Sequence, residues 1–175
     1  MLPFSIEPFR EKIRRAQHPV PASFIVVDST LQQLYCIEGS TLRRSFTIST
    51  SQFGMGNREG SNQTPRGIHR VIEKIGEGVP SGRIFKDRID TGCDWHPDQT
   101  GDNMILTRII RLEGLEEGVN CGPGIDSFDR YIYIHGTNRE HLIGSPLSHG
   151  CVCMKNSDII ELFDLITEGT LVIID

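Results

Sequence analysis

Tyr131-Ile132-Tyr133-Ile134-His135-Gly136-Thr137, followed after a short loop by Ser145-Pro146-Leu147-Ser148-His149-Gly150-Cys151-Val152-Cys153-Met154, is the most informative stretch of this 175-residue chain. Its first part is rich in β-branched and aromatic residues and reads as a buried strand, with His135 at its end. Its second part sets another histidine beside a glycine and a cysteine. A cysteine becomes a nucleophile when a neighbouring imidazole removes its proton, because the thiolate is the reactive form, and a third group then holds the imidazole in one tautomer. His135 and Cys151 supply such a pair. Gly150 permits a tight turn, so that consecutive N–H groups, including that of Cys151, point at a developing oxyanion. This is the chemistry of acyl transfer, and it predicts a Cys151 thiol that alkylates well below pH 8.5, the ordinary thiol pKa. Beside it stand an inert core cysteine with a structural histidine and a zinc site made of His135, His149, Cys151 and Cys153. Zinc is set aside because structural sites favour Cys-x-x-Cys spacing and because the sulfurs of Cys151 and Cys153 are expected on opposite faces of an extended segment. No metal and no cofactor is expected.

Outward from this stretch the chain reads as mainly β with flanking helices. Phe24–Asp28, Gln33–Glu38 and Leu42–Ser49 are short β-rich runs separated by turn signals and predict an antiparallel meander. Further strands are expected at 68–75, 104–112, 131–135 and 170–174. Residues 50–67 read as loop, and its Gly-x-Gly is no dinucleotide fingerprint because Thr64-Pro65 falls where a helix would open. Residues 76–103 form a polar, glycine-containing stretch long enough to be a functional loop over a site, with Asp94-Trp95-His96 on it unassigned. Leu2, Ile6, Phe9, Ile13 and Ala16 recur at helical spacing and predict an amphipathic helix over 5–17, capped by Ser5. A second helix is expected after Asn156-Ser157, with Ile159, Leu162, Phe163 and Ile166 on one face and Gly169 as its stop.

Composition narrows the partners. With 18 Lys+Arg against 23 Asp+Glu, a formal charge of -5 lacks the basic field that a phosphate backbone requires, so no nucleic acid is expected. Apolar runs are strand-length, far short of the roughly 18 residues that span a bilayer, so no membrane is expected. Five cysteines, an odd number, and no leader pattern at the start predict a cytoplasmic protein.

The segment from Ile134-His135-Gly136-Thr137 through Ser148-His149-Gly150-Cys151-Val152 resembles the signature of the YkuD-type L,D-transpeptidase catalytic domain. The resemblance extends to Phe24-Ile25-Val26-Val27-Asp28 with Gln33-Leu34-Tyr35, to Thr64-Pro65-Arg66-Gly67 and to Asn156-Ser157-Asp158. It implies a YkuD-like β-sandwich over residues 23–175, with residues 1–22 as a helix and linker outside it. It also implies a cysteine acyl-enzyme on peptides of peptidoglycan, so that muropeptides are the expected partners. By position, Cys151 would be the nucleophile, His135 the general base and the Gly136 carbonyl its orienting group, with Ser148, His149 and Gly150 shaping the oxyanion and substrate pocket. Where the family carries an arginine two residues after the nucleophile, this chain has Cys153. Arg66, Arg108, Arg130 and Arg139 are then candidates for recognising an acidic peptide. The expected reaction is that of an L,D-carboxypeptidase releasing D-alanine from a diaminopimelate tetrapeptide in cell-wall recycling. The alternatives are an L,D-transpeptidase and a catalytically silent muropeptide-binding module.

Overall fold

The structure, a computed structural model, describes residues 4–99 and 101–175; Leu2, expected on the apolar face of the first helix, lies outside them. Helix α1 (Glu7–Arg15) precedes the strands β1 (Ser23–Asp28), β2 (Gln33–Glu38), β3 (Thr41–Ser49), β4 (Gly67–Ile75), β5 (Arg83–Lys86), β6 (Ile89–Asp94), β7 (Ile105–Gly114) and β8 (Tyr133–Gly136). A 3-10 turn (Glu140–Leu142), β9 (Val152–Met154), helix α2 (Asn156–Leu165) and β10 (Leu171–Ile174) complete the chain. The β1–β3 meander forms as expected, with antiparallel registers throughout.

The strands make one continuous sheet in the order β4-β10-β1-β2-β3-β9-β8-β7-β5-β6, and an added β4–β7 pairing closes it on itself. The β5–β6 hairpin is left as a branch on the edge of β7. Two pairings are parallel, β1 with β10 and β8 with β9. Period-two alternation gives each strand two faces. In β1, Ile25 and Val27 join the main core with Leu34, Ile48, Val152 and the α2 residues Ile159, Leu162 and Phe163. Phe24 and Val26 face the other way and are covered by α1 through Ile6 and Ile13.

Three expectations need correction. Residues 76–103 are not a structureless loop, because β5 and β6 form a hairpin there that packs Phe85 against Ile109 and Tyr133. Its exposed, polar β6 carries no apolar alternation, which is why periodicity missed it. Helix α1 is shorter than 5–17 and has Ile6 at its N-cap, with the Glu7 N–H only 3.4 Å from Ser5 Oγ. Helix α2 stops at Leu165 rather than running to Gly169, and Lys155 is its N-cap. Its first turn is capped from outside by Glu140, whose Oε1 accepts the Asn156 N–H at 2.6 Å and the Asn156 side-chain amide at 2.7 Å.

Candidate active site

The parallel β8–β9 register sets Ile134 against Val152, His135 against Cys153 and Gly136 against Met154. Ile134 and Val152 point into the main core. His135 and Cys153 therefore occupy the opposite face, the side that carries Tyr133, Cys151 and the β5–β6 hairpin. Residues two apart on a strand share a face, so the expectation that Cys151 and Cys153 point opposite ways is overturned. Even so, no group of three or more His, Cys, Asp or Glu side chains is gathered as a metal-ligand set among the described residues.

His135 is buried, and its Nδ1 lies 2.8 Å from the Gly136 carbonyl oxygen. A carbonyl only accepts, so Nδ1–H donates and Nε2 carries the basic lone pair. Burial pushes the imidazole down to about 4, against the opposing pull of the Gly136 bond. Gly136 itself tolerates no side chain, since an added Cβ would sit 2.7 Å from the Leu106 carbonyl and 2.5 Å from Asn156 Oδ1.

The two thiols differ sharply. Cys153 is fully buried, its Sγ 3.8 Å from His135 Nε2 and 3.1 Å from Asn103 Nδ2, and burial drives its thiol far above the usual range. Cys151 keeps partial exposure and lines a pocket of about 380 Å³ together with Asp87, Arg88, Ile105, Tyr131 and Tyr133. Its thiol lies 3.5 Å from the Tyr131 carbonyl oxygen, to which it donates. Burial pushes Cys151 up to about 11, and the Tyr133 main-chain N–H and the Arg130 cation only partly offset this. The resting pair is a neutral thiol and a neutral imidazole, so alkylation well below pH 8.5 is not what this environment favours. Nor do Cys151 and His135 hydrogen-bond in this state among the described residues: the imidazole faces its register partner, Cys153.

Ser148, His149 and Gly150 shape the turn into Cys151. Ser148 is buried; its Oγ donates to the Cys151 carbonyl at 2.5 Å and accepts the Gly150 N–H at 3.2 Å. Gly150 has φ +129, and a Cβ there would press on Ile132 and the Gln63 carbonyl. His149 is exposed and its ring lies 5.4 Å from that of Phe53, directed at that loop rather than at Cys151.

The four arginines named from sequence part company. Arg108 is buried and spent on the Val79 and Thr107 carbonyls. Arg139 holds the Gly101 carbonyl and pairs with Asp102, and Arg66 lines a separate groove with Phe9 and Asp175. Arg130 lies near Cys151 but is committed to the carbonyls of Gly56, at 3.1 Å, and Gln63, at 2.5 Å. The arginine that lines the Cys151 pocket is Arg88, which sequence reasoning passed over because it lies within the stretch read as loop. Asn103, which touches Cys153 and accepts from Thr137 Oγ1 at 2.5 Å, was missed for the same reason. Trp95 is tied at the far end of the hairpin, its main-chain N–H donating to the Gly82 carbonyl at 2.8 Å and its indole N–H to the Gln99 carbonyl at 3.3 Å.

The sequence profile of the L,D-transpeptidase catalytic domain, YkuD, matches residues 22–174. The putative L,D-transpeptidase YqjB of Bacillus subtilis is 49% identical over 159 residues, covering 90% of this chain and 74% of that protein. Among solved structures, an Enterococcus faecium L,D-transpeptidase superposes with a TM-score of 0.55 at 17% identity, over 90% of this chain and 52% of that one. An L,D-transpeptidase from Mycobacterium tuberculosis gives a TM-score of 0.56 at 14% identity, over 90% of this chain and 59% of that one. The chain thus spans between half and three-fifths of those two structures.

Proposed function

Because this chain belongs to the YkuD family of L,D-transpeptidase catalytic domains, we propose that it is a cysteine acyl-transferase of peptidoglycan stem peptides, with Cys151 as nucleophile and His135 as base. One observation carries the assignment: of the two thiols on this face, that of Cys151 borders a pocket whereas that of Cys153 is fully buried, and the imidazole beside them is held with Nε2 as its basic atom. Cys153 faces the same imidazole but has no surface through which a peptide could reach it.

For His135 to act as its base, the Cys151 thiol must leave the Tyr131 carbonyl and turn toward Nε2. Nε2 takes the proton, and the sulfur attacks the carbonyl at the L-centre of the third residue. A C–S bond forms, the bond to the terminal D-alanine breaks, and Nε2 returns the proton to the departing amine. The Gly136 carbonyl stabilises the imidazolium formed in between. The Cys151 amide, next to the sulfur, is the donor proposed for the oxyanion, since the Gly150 N–H is engaged by Ser148. The acyl-enzyme is then resolved by an amine, which makes the chain an L,D-transpeptidase, or by water, which makes it an L,D-carboxypeptidase. The relatives, described as L,D-transpeptidases, favour the amine. The hydrolytic reading rests on the compartment expected of the sequence, and no feature of the site favours it.

Mass spectrometry of a diaminopimelate tetrapeptide incubated with the protein, with and without excess D-methionine, tests this. Exchange of D-alanine for D-methionine, absent in Cys151→Ala, is the expected result. Tripeptide as the main product despite the acceptor would establish hydrolysis, and an unchanged tetrapeptide would overturn the proposal.

A further inference from the structure

We propose that Arg88 binds a free carboxylate of the donor peptide at the mouth of the Cys151 pocket, and so sets substrate specificity; this rests on the acyl-transfer reading above. The β5–β6 hairpin turns on two residues, Asp87 and Arg88, since Lys86 pairs with Ile89. Both turn residues have positive φ, +50 and +68. Such a turn strongly favours Asn-Gly, because side chains rarely adopt this backbone conformation. An arginine is a poor choice for the turn, and what its side chain does accounts for its presence.

The guanidinium is positioned rather than loose. Its Nη1 donates to Tyr133 Oη at 3.1 Å, and its centre lies 5.1 Å from the centroid of the Tyr131 ring. Tyr131, Tyr133 and Arg88 line the same pocket as Cys151. Elsewhere on the hairpin Arg83 is satisfied by Asp90, at 2.9 Å, and Asp94, at 2.7 Å. Arg88 makes no ion pair among the described residues, and Asp87, its neighbour in the turn, is not within ion-pair distance of it. A guanidinium has five N–H donors in a planar fork that matches a carboxylate. With one donor spent on Tyr133, the Nε–Nη2 edge has no protein partner among the described residues, and Arg88 lines the pocket together with Cys151, Ile105, the two tyrosines and Asp87.

A stem tetrapeptide offers such a carboxylate at three places, the α-carboxyl of the γ-linked D-glutamate, the side-chain end of diaminopimelate and the C-terminal D-alanine. Three peptides separate them: one with isoglutamine in place of the γ-linked glutamate, one with lysine in place of diaminopimelate and one with a C-terminal amide. Affinities are measured by calorimetry on the Cys151→Ala protein, which cannot turn the peptides over, and turnover is measured separately on wild type. Adding Arg88→Gln is expected to weaken the parent tetrapeptide about tenfold or more, Arg88→Lys less, and the neighbouring exposed Lys86→Gln not at all. The peptide lacking the carboxylate that Arg88 reads should bind weakly to begin with and lose little further. Thermal midpoints equal to that of the parent protein exclude unfolding as the cause.

Equal losses on all four peptides, no loss with Arg88→Gln, or no measurable binding would overturn the assignment. Binding that depends on Arg88 without wild-type turnover would instead overturn the acyl-transfer reading and leave Arg88 in place as an anion-binding residue.

Discussion

His135 and His69 are both buried as neutral rings, each pushed down from 6.5 to about 4 by burial. An unfolded chain binds protons at these rings once the pH falls below 6.5, whereas the folded chain does so only near 4. Stability is therefore present above pH 6.5 and lost as pH falls toward 4, by up to about 3 kcal/mol for each ring. Denaturant titrations at pH 7 and 4.5 should show this loss. His69→Gln, remote from the site and bonded to Ser127 Oγ and the Gly67 carbonyl, should remove about half of it. At the same scale, Cys151 with its thiol near 11 is about one part in a thousand thiolate at pH 8. Its alkylation should keep rising through pH 9 and beyond, read by peptide mapping so that exposed Cys93 is counted separately. The identities of these residues were legible in the sequence, since histidine, glycine and cysteine at this spacing name a chemistry. Their state was not, because which thiol faces His135 follows from the β8–β9 register, and which thiol meets solvent follows from where the hairpin lies.

Between elements, the site is set by the contact of β8 with the start of α2. Asn156, the first residue of α2, donates to the Thr137 carbonyl at 3.0 Å and accepts from Thr107 Oγ1 at 2.5 Å, fastening the helix to β7 and to the end of β8. Glu140 closes this joint through the first-turn N–H of α2, a charge-assisted cap at the positive end of the helix. Glu140→Ala should cost about 1 kcal/mol of stability, measured by denaturant unfolding. No loss would mean that Asn156 alone holds the joint. The sequence suggested a self-capped helix at Asn156-Ser157, and it could not show that the cap comes from Glu140, because that pairing needs the 3-10 turn to fold back. The β5–β6 hairpin is the larger omission. Its turn dipeptide, Asp-Arg, breaks the Asn-Gly preference by which such turns are read, and the residue that breaks it is the one at the pocket.

At the scale of the molecule, one closed sheet carries α1 on one outer face and the candidate site on another. The meander, the last strand and the mainly β character were legible from alternation and β-branched runs. Closure through β4–β7 was not, because pairing between strands far apart in sequence leaves no local pattern. The separation of faces has a consequence for α1, which lies outside the matched residues 22–174. Ile13 is fully buried against Phe24, Val26 and Ile37, so Ile13→Ala should cost about 2–4 kcal/mol while kcat on a tetrapeptide stays unchanged. A matching fall in kcat would show that the helix acts on the site through the sheet. The most direct test of the chemistry is intact-protein mass spectrometry after rapid mixing with tetrapeptide, followed by peptide mapping of the adduct. A thioester mass increase on Cys151, absent in Cys151→Ala and retained in Cys153→Ala, is expected; an adduct on Cys153, or none on either thiol, would contradict the assignment of Cys151 as the nucleophile.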